Sequence, residues 1–188
     1  KRLAFQELFA IQVVLALARN KRRVPRAGRY LIRKKLLTPL RKKCGFEFTR
    51  SQKKVINEIF TDLTSDFPMN RLLQGDVGSG KTVVAISAML LACENQFQSA
   101  LMSPTEILAE QHFITLKNVL NGLPVRLGLL TGSVKGKARK ELLSDCAEGK
   151  VDIVVGTHAL IEEDVKFKNL SLAVIDEQHR FGVRHRLA

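Results

Sequence analysis

From Met69 onward, short apolar runs alternate with segments of helical periodicity. Residues 71–74 read as a strand, 82–92 as a buried helix and 100–102 as a second strand. Pro104-Thr105 opens a helix to about Leu120, and residues 125–130 form a strand ending at Thr131-Gly132. A charged helix is predicted over about 135–148, and 153–155 and 172–175 read as the last strands. Short, wholly apolar strands separated by helices predict an α/β fold, a parallel sheet with helices on both faces. In such sheets ligands bind at the carboxyl ends of the strands. The polar clusters at 75–82, 103–106, 131–133, 156–158 and 176–179 each follow a predicted strand directly.

The first quarter has a different texture. Residues 1–20 carry Leu3, Phe5, Leu8, Phe9, Ile11, Val13, Val14, Leu15 and Leu17, a strongly apolar helix closed by the cations Arg19, Lys21, Arg22 and Arg23. Pro25 and Gly28 break it, and 30–43 reads as partly helical and interrupted at Pro39. Thr49 is a good N-cap for a helix over about 50–64, with Val55, Ile56, Ile59, Phe60 and Leu63 on its apolar face. The domain reading is therefore a basic helical linker over 1–45 and an α/β domain over 46–188.

Charge sharpens that division. Residues 1–50 hold 15 of the 31 Lys and Arg but only two of the 18 acids, Glu7 and Glu47, so the whole net charge of +13 lies there. Such asymmetry favours a polyanionic partner, nucleic acid ahead of a membrane. A solvated basic connector between domains is the alternative. Cys44, Cys93 and Cys146 are odd in number and form no CxxC pair, and the four histidines lack zinc spacing. The expectation is reduced thiols, ordinary hydrogen-bonding histidines and a cytoplasmic protein.

The stretch GDVGSGKT, residues 75–82, fits G-x-x-x-x-G-K-S/T, the phosphate-binding loop of nucleotide hydrolases. Gly75, Gly78 and Gly80 permit tight turns, and with Ser79 their backbone N–H groups would form an anion nest at a helix N-terminus. Lys81 can reach the β- and γ-phosphates of a bound nucleotide, and the Thr82 hydroxyl can ligate Mg²⁺. Four apolar residues before Asp176-Glu177 give the form of a Walker B segment. Asp176 would hold Mg²⁺, and Glu177 would orient or deprotonate the attacking water.

These motifs, with Met102–His112 (MSPTEILAEQH), Thr131-Gly132-Ser133, Val154–Leu160 (VVGTHAL) and the run from Asp176 to Val183 (DEQHRFGV), resemble superfamily 2 helicases and, within them, the RecG family. The resemblance runs from about residue 46 to the end, and the Arg2-Leu3-Ala4-Phe5 helix resembles that family's interdomain linker. It implies a RecA-like domain of an ATP-dependent DNA helicase that remodels stalled forks and recombination junctions. Phe48-Thr49-x-x-Gln52 is similar to the Q motif, which implies that Gln52 reads adenine. Pro104, Thr105, Gly132, Ser133, Thr157 and His158 fall in motifs that imply contacts to a nucleic-acid backbone. Gln178 and His179 would couple the γ-phosphate state to a neighbouring domain.

The resemblance further implies partners outside the chain: a second RecA-like domain carrying an arginine finger, an N-terminal wedge domain, and forked or branched DNA. The strand of motif III, which the family places between the Walker A and Walker B strands, is also expected to be missing from the sheet. The chain alone is then expected to lack helicase activity. A transcription-repair coupling factor is the nearest rival; Gln178 and residues 135–139 favour the RecG family. A non-catalytic nucleic-acid-binding module is the rival of another class, and intact Lys81, Thr82, Asp176 and Glu177 argue against it.

Overall fold

A computed structural model describes Phe9, Gln12, Val13 and residues 30–33, 35–43 and 47–177. Phe9, Gln12 and Val13 are helical. The rest of the helix expected over 1–20 lies outside the described residues, as do Gln178 and His179.

The sheet has four strands: β1 (Gln98–Met102), β2 (Leu127–Leu130), β3 (Ile153–Gly156) and β4 (Leu170–Ile175). Their order is β2-β3-β1-β4, and every pairing is parallel. The helices are α1 (Leu37–Lys43), α2 (Arg50–Thr64), α3 (Lys81–Glu94), α4 (Glu106–Leu120) and α5 (Gly136–Glu148), with a 3₁₀ turn over His158–Ile161. Alternation along the strands divides the core. Leu101, Ile153, Val155 and Leu172 face α2, α3 and α4, whereas Ala100, Met102 and Val154 face Cys146 of α5 and the 3₁₀ turn. The expected α/β architecture, helices on both faces of a parallel sheet, is what forms. Among the described residues no helix is long and apolar enough to cross a membrane.

Helix α3 is apolar nearly all round, and Met89, Leu90, Leu91 and Ala92 are fully buried. It runs from the glycine-rich loop to the far end of the domain. There Glu94 and Asn95 hold the segment that precedes the domain. Leu36 N–H donates to Glu94 Oε1 at 2.6 Å, Leu31 N–H to Asn95 Oδ1 at 2.7 Å, and Asn95 Nδ2 returns a bond to the Leu31 carbonyl at 3.0 Å. Tyr30 is buried against Phe97, with ring centroids 4.9 Å apart, and its hydroxyl bonds that of Ser171. Leu40 is fully buried in the same core.

Two expectations fail locally. Pro39 does not interrupt 30–43 but sits in the first turn of α1. The first-turn N–H groups of a helix have no intrahelical partner, so proline loses little there. Residues 71–74 carry no regular secondary structure and join no strand. β4 pairs only with β1, Leu72 is 69% exposed, and Arg71 is held instead by Glu58 and Asp62 of α2 at 2.7 and 2.8 Å. A segment without a lateral partner makes no ladder hydrogen bonds.

Candidate active site

Helix α3 begins without a side-chain cap. Its N-cap is Gly80, whose φ of 81° is left-handed, as is the 80° of Gly78. The N-terminal N–H groups are thereby left for an anion, where the helix dipole also favours negative charge. Lys81 Nζ turns back onto the carbonyls of Gly75 and Asp76 at 2.7 and 2.9 Å, so the ammonium is held at the loop. Gly75 is packed under Ser79, whose Oγ would lie 2.8 Å from a Cβ there.

Gln52 ties α2 to this loop. Thr49 Oγ1 accepts from Gln52 N–H at 3.1 Å and Thr49 N–H donates to Gln52 Oε1 at 2.9 Å, a capping box that starts the helix. Gln52 Nε2 donates to the Ser79 carbonyl at 2.9 Å. A carboxamide has two N–H groups and two lone pairs, so one of each is left over, the complement of an adenine edge.

Asp176 leaves the tip of β4, and its N–H donates to the Met102 carbonyl at 2.9 Å. Its Oδ1 accepts from Glu177 N–H at 3.0 Å, and its Oδ2 lies 2.7 Å from His112 Nε2. Glu177 has a φ of 51°, a left-handed conformation that costs a non-glycine residue about 1–2 kcal/mol. Thr82, Asp176 and Glu177 line one cavity of about 330 Å³ with Leu108, Gln111, His112 and Thr115 of α4. A hydroxyl and a carboxylate facing one space are the oxygen donors that a hard cation such as Mg²⁺ requires.

The proposed nucleic-acid residues lie at the ends of β1, β2 and β3, on the same edge of the sheet. Thr105 is exposed and caps α4, accepting from Leu108 N–H at 3.3 Å. Gly132 and Ser133 are exposed; Ser133 Oγ lies 2.7 Å from Thr131 Oγ1, and Gly132 packs against Glu106. Pro104 is half-buried. Thr157 is buried and its hydroxyl faces Ala159 N–H at 3.5 Å, while His158 is exposed beside it.

The α4 residues at the cavity escape a reading of motifs. Leu108, Gln111, His112 and Thr115 recur at intervals of three and four, so helical spacing from the Thr105 cap puts them on one face. Nothing local says that this face meets Asp176.

Residues 49–187 match the family model of the DEAD/DEAH box helicases. The chain belongs to the DEAD/DEAH box helicase family. Among helicases of known sequence, it is 48% identical over 187 residues to the ATP-dependent DNA helicase RecG of Streptococcus pneumoniae, covering 99% of this chain and 28% of that one. The RecG of Bacillus subtilis is also 48% identical, over 99% of this chain and 27% of its own length. The fold superposes on the structure of RecG bound to a three-way DNA junction with a TM-score of 0.88 and 44% identity. That match covers 96% of this chain and 25% of that one. A hypothetical ATP-dependent RNA helicase from Sulfolobus tokodaii shares the fold, with a TM-score of 0.56 and 21% identity over 76% of this chain and 41% of that one. The chain thus spans about a quarter of the length of the RecG relatives it matches.

Proposed function

We propose that the chain is the first RecA-like motor domain, with its preceding linker, of an ATP-dependent DNA helicase that remodels branched DNA. The observation that carries this is the meeting of Thr82, Asp176 and Glu177 in one cavity beside the glycine loop. The similarity to RecG over nearly the whole chain supports the choice of DNA.

In this reading the loop 75–82 and Lys81 bind the phosphates of ATP, and Gln52 reads the adenine. Thr82 and Asp176 would hold Mg²⁺, which when bound neutralises charge on the phosphates. Glu177 orients the attacking water and accepts its proton. Pro104, Thr105, Gly132, Ser133, Thr157 and His158 follow the DNA backbone, which fixes position without reading sequence. Gln178 and His179 pass the nucleotide state to a second RecA-like domain, and a wedge domain of the same protein grips the branch. Residues 1–45 serve as the linker toward that wedge, with 30–43 strapped to the motor. The protein acts in the bacterial cytoplasm, on the nucleoid.

The test is Lys81→Ala in the full-length protein. ATPase and fork remodelling should both be lost, because the lysine that cradles the β- and γ-phosphates is removed. Unchanged fork remodelling would eliminate an ATP-driven mechanism.

A further inference from the structure

One polar contact in the cavity has no role in the reading above. His112 projects from the second turn of α4, 64 residues from Asp176 in sequence, and its Nε2 lies 2.7 Å from Asp176 Oδ2. We propose that His112 is a positioning residue that orients the Asp176 carboxylate for the metal. This rests on the assignment of Asp176 as a Mg²⁺ ligand. An ionised carboxylate can only accept, so the Nε2 that faces Oδ2 carries the hydrogen. Glu177 N–H holds the other oxygen at 3.0 Å. With one bond alone the carboxylate is free to turn, because the terminal torsion of aspartate is broad. With a donor on each oxygen its plane is set, and each oxygen keeps lone pairs for a cation or its water.

The rest of α4 makes this anchor rigid. Ala109, Leu116 and Leu120 are buried in the main core and fix the helix on the sheet. The His112 side chain is 18% exposed and that of Asp176 35%, so the bond is partly screened from competing water. Partners that orient a metal's ligands typically contribute about 10–100-fold to metal affinity.

The test uses the full-length protein and a fluorescent ADP analogue, with Mg²⁺ titrated against nucleotide binding. His112→Leu keeps the apolar volume and removes the donor, and His112→Gln places an amide N–H at similar reach. Thermal melts establish that each variant is folded. His112→Leu should raise the half-saturating Mg²⁺ concentration by about tenfold or more, and His112→Gln should restore it to within about threefold of wild type. A wild-type Mg²⁺ requirement in His112→Leu, or equal impairment of both folded variants, would overturn the role of His112. Asp176→Asn separates this from the premise. If it leaves the Mg²⁺ dependence unchanged, Asp176 is not the metal ligand, and the role of His112 falls with it.

Discussion

The side-chain nitrogen of Gln52 lies 2.4 Å from where a Cβ on Gly80 would stand. The glycine that opens α3 is therefore required twice, once by its φ of 81° and once by the amide packed over it. Gly80→Ala should displace Gln52 from the Ser79 carbonyl and strain the loop by about 1–2 kcal/mol. Nucleotide affinity, read by titration with a fluorescent ATP analogue, should drop about tenfold. Unaltered affinity would show that the packing of Gln52 on the loop is irrelevant to nucleotide binding.

A different glycine secures the sheet. A Cβ on Gly156 would come within 2.2 Å of the Leu130 carbonyl oxygen, which accepts from Thr157 N–H at 3.3 Å. The obstacle is backbone, which cannot rotate away. Gly156→Ala should force β2 from β3 and destabilise the fold by about 1–3 kcal/mol. For a domain of this size that lowers the melting temperature by about 2–4 °C per kcal/mol. A melting curve superimposable on wild type would refute the close approach.

Glu94 Oε1 accepts from both Leu36 N–H, at 2.6 Å, and Leu37 N–H, at 3.4 Å. Bonds to a charged acceptor contribute about 1.5–3 kcal/mol. Glu94→Ala should therefore speed amide hydrogen exchange at Leu36 and Leu37 by about tenfold or more, while exchange in β1 and β3 stays slow. Equal protection in the variant would mean that apolar contacts at Tyr30 and Leu40 hold the strap unaided.

Burial pushes the Cys93 thiol from its ordinary value of 9.0 up to about 12, and the charge of Asp152 adds to the effect. The raised value in the folded state has a definite sign. Below pH 9 the thiol is protonated in both states, and its contribution to stability is whole. Between about pH 9 and 12 the unfolded chain releases the proton first, so stability declines as pH rises. Denaturant midpoints measured across that range should fall, and Cys93→Ala should flatten the fall. At neutral pH, native Cys93 and Cys146 should resist alkylation, because the thiolate is the reactive form.

Much of this molecule is written locally. The Thr49–Gln52 capping box, the apolar length of α3 and the glycine spacing of 75–82 each involve residues within a few turns of one another. Their periodicity and cap chemistry therefore identify the elements before any packing is known. The Walker B carboxylates are legible for the same reason, since four apolar residues and a strand end announce them. The segment 71–74 shows the limit of such reading. Its composition is that of a strand, but strand formation needs a neighbour, and β4 offers its second edge to none of the described residues. Pro39 shows the same limit on a smaller scale, because the effect of a proline depends on which helical turn receives it.

The sequence by itself thus determined the order of elements, the parallel α/β class, the nucleotide loop and the family resemblance. All of these rest on short-range spacing. Only the tertiary structure decided that Gln52 lies over Gly80, that the 30–43 segment is clasped by Glu94 and Asn95, and that His112 meets Asp176. These contacts join elements far apart in the chain. They exist because α2, α3 and α4 must bury their apolar faces on one side of the same sheet, and that burial sets their polar residues against distant partners, Gln52 and His112 beside the glycine loop and Asp176, Glu94 and Asn95 at the opposite end of α3.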